Sequence, residues 1–139
     1  MRTRATELLR QLGENDHTDP SEAPSFREIA STISRTLQLL VVAKYRPLLQ
    51  PEFGVFQLMV GEQNIPTGIA GMIDAIAYSS DGKPEIVLDW KSDVAPAPET
   101  RQHHAAQVRE YLNCTNAARG LVVYMTTGEV PKVGILDAC

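Results

Sequence analysis

Cysteine, tryptophan and histidine are scarce: two, one and three of the 139 residues. Cys114 and Cys139 form no CxxC pair, so the sequence holds no ligand set for a zinc site or an iron–sulfur cluster. Free thiols in a reducing cytoplasm are the simpler reading of the two cysteines, and a disulfide between them is the alternative. Long apolar runs are also missing. The longest, Leu39-Leu40-Val41-Val42-Ala43, falls far short of the roughly 20 residues that span a bilayer. Met1-Arg2-Thr3-Arg4 is basic with no apolar stretch behind it, so no secretory signal is expected. A cytoplasmic protein without a membrane partner is the expectation. Positive charge is in deficit too: 13 Lys and Arg against 17 Asp and Glu give a net charge of −4 and a pI near 5.3. That excludes nucleic-acid binding by bulk positive charge. It leaves room for an enzyme that meets nucleic acid through metal ions and a local basic rim, with part of its acidity serving as metal ligands.

What is present is a globular composition, 43% hydrophobic and 22% charged, in a chain long enough for one hydrophobic core. Leu8, Leu9 and Leu12 predict a short helix over residues 1–12. The polar, proline-containing stretch 13–25 reads as a linker. Ser25 and Glu28 form a capping box, and Ile29, Ile33, Leu37 and Leu40 recur at helical spacing, so a helix is expected from there to about Tyr45, ahead of Pro47. Strands are expected over 52–60, 68–78 and 85–91, separated by turns at 61–67 and 79–84, the second with an Asp81-Gly82 signal. A helix over 101–115 and strands over 120–125 and 130–136 complete the order. Consecutive strands joined by short turns pair antiparallel, and a strand reached through a helix can lie parallel. The expected class is α/β (α+β) with a central mixed sheet flanked by helices. The expected division is an N-terminal helix and linker over 1–25 and a domain over 26–139.

Two carboxylates interrupt otherwise apolar strands: Asp74 in Gly71-Met-Ile-Asp74 and Asp89 in Ile86-Val-Leu-Asp89-Trp90-Lys91. A charge in such a place is costly unless paired or bound to a metal. Side chains alternate along a strand, so Asp89 and Lys91 share a face and Trp90 points away. Pairing through the Asp81-Gly82 turn brings Asp74 beside Asp89, at the ~4.8 Å spacing of neighbouring strands. Two carboxylates so close repel each other, and a divalent ion relieves the repulsion. Oxygen ligands favour Mg²⁺ or Mn²⁺. A lysine alongside can position water or stabilise a charged phosphate.

Asp74, fourteen residues, then Asp89-Trp90-Lys91 resembles the D…(D/E)xK signature of the PD-(D/E)XK nuclease superfamily. Gly71-x-x-Asp74, Asp89-x-Lys91-Ser92 and Gln107-x-x-x-Tyr111 resemble three motifs of its RecB-like branch, over roughly residues 26–126. Gln107 and Tyr111 stand at i and i+4, on one helical face. The resemblance implies a restriction-endonuclease-like αβββαβ core and metal-dependent hydrolysis of DNA, as an exonuclease in repair or recombination. It implies Asp74, Asp89 and the carbonyl of Trp90 as ligands of Mg²⁺ or Mn²⁺, and Lys91 as the catalytic lysine. Gln107 and Tyr111 would orient the site or contact the DNA backbone. Glu52 resembles an acidic residue often found near the first strand. A helicase would be a separate partner chain or a lost fusion partner. Two family features are missing: residues 26–46 contain no histidine to serve as an extra ligand, and the iron–sulfur cysteines are absent.

The rival readings are a non-catalytic nuclease-like module that binds or scaffolds DNA, and an unrelated interaction domain with accidental motifs. His103 and His104 open the helix near solvent and are read as surface or phosphate-contacting residues. Arg101 and Arg109 line a DNA path or are solvated. Met72 is read as packing, and Tyr124 has no assigned role.

Overall fold

A computed structural model describes residues 2–13, 15, 16, 19, 21, 23–60 and 66–134. It divides into two compact units, Met1–Ala43 and Lys44–Cys139. The division falls after Ala43 rather than at residue 25, because helix α1 (Arg2–Gln11) contacts helix α2 (Phe26–Gln38).

In the first unit the capping box forms as expected. The Ser25 N–H donates to Glu28 Oε2 at 2.8 Å, and the Glu28 N–H donates to Ser25 Oγ at 3.3 Å. Linker and helix are also tied directly, since the Phe26 N–H donates to Asp16 Oδ1 at 2.8 Å. The helix does not run unbroken to Tyr45. It stops at Gln38, Leu39 is extended (ψ 129°), and α3 covers Leu40–Tyr45. Thr36 donates its hydroxyl to the carbonyl of Thr32, a back-bond that bends helices, and the Leu39 N–H reaches the Thr36 carbonyl, tightening the last turn. The expected apolar stripe is not the most buried one: Ile29 and Leu37 are half-buried. Ile33 and Leu40 are exposed, and the buried positions of α2 are Phe26, Ala30 and Thr36.

The second unit is built on a five-stranded mixed sheet in the order β1-β2-β3-β4-β5. The strands are β1 (Gln50–Val60), β2 (Pro66–Tyr78), β3 (Pro84–Lys91), β4 (Arg119–Tyr124) and β5 (Lys132–Val133). As expected, β1–β2 and β2–β3 are antiparallel and β3–β4, joined through helix α4 (Pro98–Thr115), is parallel. Residues 61–65 of the first expected turn, 135 and 136 of the last expected strand, and 137–139 with Cys139 and any pairing it makes lie outside the described residues. No described helix is long and apolar enough to cross a membrane.

Helix α4 begins three residues earlier than its apolar pattern suggests, since Pro98 at the first turn has no N–H to leave unpaired. It ends on Asn116 in the left-handed region (φ 57°), whose N–H closes on the Leu112 carbonyl. Val108, Tyr111 and Leu112 of α4 pack with Ile73, Ile76, Val87 and Val122 into one core. Each fully buried aliphatic side chain contributes about 1.5–3 kcal/mol. Gly120 lets β4 approach the helix, because a Cβ there would run into Val108 Cγ1 well inside van der Waals contact. Gly120→Ala is therefore expected to destabilise the fold by about 1–3 kcal/mol through overpacking. Urea denaturation checks this, with a lowered midpoint and an unchanged slope as the expected result.

Candidate functional site

Ile73 and Ile76 both belong to the core under α4, yet residues three apart on a regular strand face opposite ways. So β2 changes face between them, and Asp74 stands at the change. Across the ladder, Pro51 pairs with Ala75 and Phe53 with Ile73, while Glu52 and Asp74 are skipped. Glu52 is left-handed there (φ 54°), an uncommon conformation for a residue with a Cβ and a local source of strain. The β2–β3 pairing also ends here, at Ala75 with Leu88. The strands part, and the Asp74 side chain takes over from the ladder, accepting the Trp90 N–H on Oδ2 at 2.8 Å.

Asp89 sits on the next strand, 3% exposed. Burial holds its carboxyl above the ordinary carboxylate range. The nearby Asp74 charge adds to that shift, while Lys91 and, more weakly, His104 oppose it. Lys91 Nζ lies 2.9 Å from Asp89 Oδ2, a charge-assisted contact that offsets part of the cost of burying the carboxylate. The same ammonium donates to Gln107 Oε1 at 3.1 Å. The amide of Gln107 donates to the Tyr111 hydroxyl at 3.0 Å, and that hydroxyl donates to the Met72 carbonyl at 3.0 Å. Gly71 makes room for this arrangement, because a Cβ there would lie 3.2 Å from Tyr111 Cε1. The three motifs are thus one mechanical unit. The glycine of the first admits the tyrosine of the third, which ties down the backbone between Gly71 and Asp74. The glutamine holds the lysine of the second.

The residues fit a small hard cation. Asp74 and Asp89 supply oxygens within electrostatic range of each other, and Asp89 is buried with the Lys91 ammonium against its Oδ2. The N–H and C=O of one strand residue point the same way. The Trp90 carbonyl therefore faces the parted β2 side with its N–H, while the Lys91 carbonyl faces β4 and accepts the Met125 N–H at 2.9 Å. Among the described residues no group of three His, Cys, Asp or Glu side chains gathers at one point. Glu52 stands opposite Asp74 in the register but is exposed and does not complete such a group. A site of two carboxylates and one carbonyl suits Mg²⁺, which keeps several waters and takes substrate oxygens as further ligands.

Other expectations need correcting. His104 is buried, not near solvent, because it lies on the helical stripe of Val108, Tyr111 and Leu112 that faces the core; His103 falls on the other side and is exposed. His104 Nδ1 lies 3.1 Å from the Tyr124 hydroxyl, and Tyr124 is the β4 neighbour of Lys91. No motif marks Tyr124. The one available signal is its position at the end of a buried strand parallel to the Asp89–Lys91 strand. Trp90 is half-buried rather than core, and Met72 is 56% exposed rather than packed. Arg101 is neither free nor merely solvated, for it pairs with Glu129 at 2.7 Å. Arg109 is turned partly inward, its Nε buried without a hydrogen-bond partner among the described residues.

Neither a family model nor a curated protein matches the sequence. Solved structures of similar fold include one described as "Crystal structure of SSO0001", with a TM-score of 0.54 and 20% identity; the alignment covers 96% of this chain and 61% of that one. At that identity the likeness shows the fold alone.

Two expectations follow. Asp89 binds its proton more readily in the folded chain than in the unfolded one, so the native state holds more protons between the ordinary carboxylate value and its raised one. Stability of the metal-free protein should fall as pH rises through that window. Thermal melts across acid to neutral pH check this, and the slope from this group should vanish in Asp89→Asn. Gly71→Ala should displace the Tyr111 ring and loosen Gln107. Together with Tyr111→Phe, which strands the Met72 carbonyl, it should cost about 1–3 kcal/mol. Chemical denaturation of each variant measures the loss.

Proposed function

We propose that the chain is a magnesium- or manganese-dependent deoxyribonuclease of the PD-(D/E)XK type, hydrolysing DNA phosphodiester bonds as an exonuclease in repair or recombination. One observation carries the reading. Asp74, Asp89, Lys91, Gln107 and Tyr111, the residues of three separate motifs, meet in one connected cluster where β2 and β3 part. Accidental motifs have no reason to converge in this way.

Asp74, Asp89 and the Trp90 carbonyl would hold the ion, which when bound lowers the pKa of water and screens the charge of the phosphate. The chain's own groups do the rest. Asp74 is fixed by the Trp90 N–H through Oδ2, which leaves Oδ1 as its free ligand atom for the ion. Lys91 supplies a positive charge for a phosphate oxygen in the transition state. Its second anchor, Gln107 Oε1, keeps the ammonium in place whichever cation neutralises Asp89. Tyr111 holds Gln107 from behind and fixes the Met72 carbonyl, so the two carboxylate strands keep their relative position. Such preorganisation is where a hydrolytic site of this kind gains most of its rate. The preference for exonuclease over endonuclease action rests on the Gln107–Tyr111 motif. A helicase partner chain or a lost fusion partner belongs to the same proposal.

Labelled single- and double-stranded DNA incubated with Mg²⁺ or Mn²⁺ tests the reading. Cleavage should require the metal, and Lys91→Ala should lower it by about 10²-fold or more, the usual scale for losing one transition-state donor, with an unchanged circular dichroism spectrum. Equal cleavage by wild type and Lys91→Ala would end this mechanism. Metal binding by calorimetry without any cleavage would favour the non-catalytic DNA-binding module instead.

A further inference from the structure

Arg101, Tyr124 and Glu129 form a second cluster beside the carboxylate–lysine site, and the chemistry proposed above does not use it. The Arg101 guanidinium lies 4.8 Å from the centroid of the Tyr124 ring, a cation–π stack that fixes its plane. Its edge grips the Glu129 carboxylate with two nitrogens, Nη1 to Oε2 at 2.7 Å and Nη2 to Oε1 at 3.4 Å. A fork that fits a carboxylate in this way fits two phosphate oxygens equally well. The ring beneath it belongs to the β4 neighbour of Lys91, and Tyr124 lies within electrostatic range of both the Arg101 and the Lys91 charge.

The carboxylate in the fork is held loosely by its own side chain and firmly by its backbone. The Glu129 carbonyl accepts the Tyr124 N–H at 2.9 Å, and its N–H donates to Thr127 Oγ1 at 3.3 Å. The two charged side chains are 36% and 50% exposed. Solvent screens a pair with this exposure, although its two-nitrogen contact puts it at the stronger end of surface pairs, so the carboxylate yields only to a ligand that fills the same fork. Glu129 can leave by a side-chain rotation alone, while the guanidinium stays on the ring.

We propose that Arg101 is a phosphate clamp for the nucleic-acid strand entering the site, and that Glu129 masks it until a backbone phosphate takes the carboxylate's place. This rests on the nuclease reading for the identity of the strand, but its test does not involve cleavage. In a chain of net charge −4 the mask has a purpose: binding at this point becomes an exchange of one anion for another, which weak or misplaced ligands do not win.

The test is binding of a fluorescent single-stranded DNA oligonucleotide in EDTA, followed by anisotropy across a salt series. Glu129→Gln removes the competing charge and should tighten binding about three- to tenfold. It should also steepen the logarithmic salt slope by about one phosphate contact. Arg101→Ala should weaken binding, and Arg101→Lys, which keeps the charge without the fork, should recover only part of it. In Arg101→Ala/Glu129→Gln the gain from Glu129→Gln should disappear. Wild-type affinity in Glu129→Gln, the same gain in the Arg101→Ala background, or no binding by any of these proteins would overturn the proposal. Because Lys91→Ala reads the cleavage site separately, the two ideas can fail apart. A chain that binds through Arg101 but cleaves nothing keeps the clamp and loses the nuclease. Cleavage abolished by Lys91→Ala, with binding indifferent to Arg101 and Glu129, does the reverse.

Discussion

The ammonium of Lys91 is the point through which the site is organised. It faces the buried carboxylate of Asp89 on one side and the amide of Gln107 on the other. Through that amide it is linked to Tyr111 and to the backbone of β2. Burying Asp89 is unfavourable for its charged form, and an unpaired charge in that place would be expelled or neutralised. The lysine makes the burial tolerable, and the helix makes the lysine's position definite. Remove the connection to α4 and the ammonium becomes a flexible four-carbon side chain at a strand end, with no reason to prefer one place over another.

The geometry around it comes from irregularity rather than from the regular sheet. An uninterrupted antiparallel ladder would continue from Ala75 and Leu88 to Asp74 and Asp89 and seal the strands together. Instead β1 and β2 skip one pair, Glu52 takes a left-handed conformation, β2 changes face, and the Asp74 side chain rather than its backbone meets β3. Bulge-like breaks of this kind re-aim side chains next to functional sites. The break leaves the carboxylates of Asp74 and Asp89 on neighbouring strands, and oxygen donors are what a hard divalent ion prefers.

Tyr124 connects that centre to its surroundings. It is buried at the end of β4, its hydroxyl beside His104 and its ring beneath Arg101. The buried histidine and the stacked arginine of α4 and the lysine of β3 therefore meet around one tyrosine, although they come from two elements. In this acidic chain both cations are paired, Lys91 with Asp89 and Arg101 with Glu129.

The alternation of apolar and turn residues was enough to place the three consecutive strands, the helix after them and the parallel return, because period and turn chemistry are local properties of the chain. The capping box at Ser25 was legible for the same reason. Asp74, Asp89 and Lys91 could be singled out because charges in apolar strands are visible in one dimension, whereas Gln107 and Tyr111 were marked only by the resemblance of their spacing to a family motif. Other features depend on what lies across space and only the tertiary structure decided them. The break at Leu39 and the exposure of Ile33 and Leu40 belong here, as does the face change in β2. So do the burial of His104 and the fit of the Tyr111 ring against Gly71. The partnership of Arg101 with Glu129 spans 28 residues, from helix α4 to the loop after β4. A hydrogen bond or a van der Waals contact between distant segments leaves no periodic trace in the sequence, and its existence is settled only when the chain has packed.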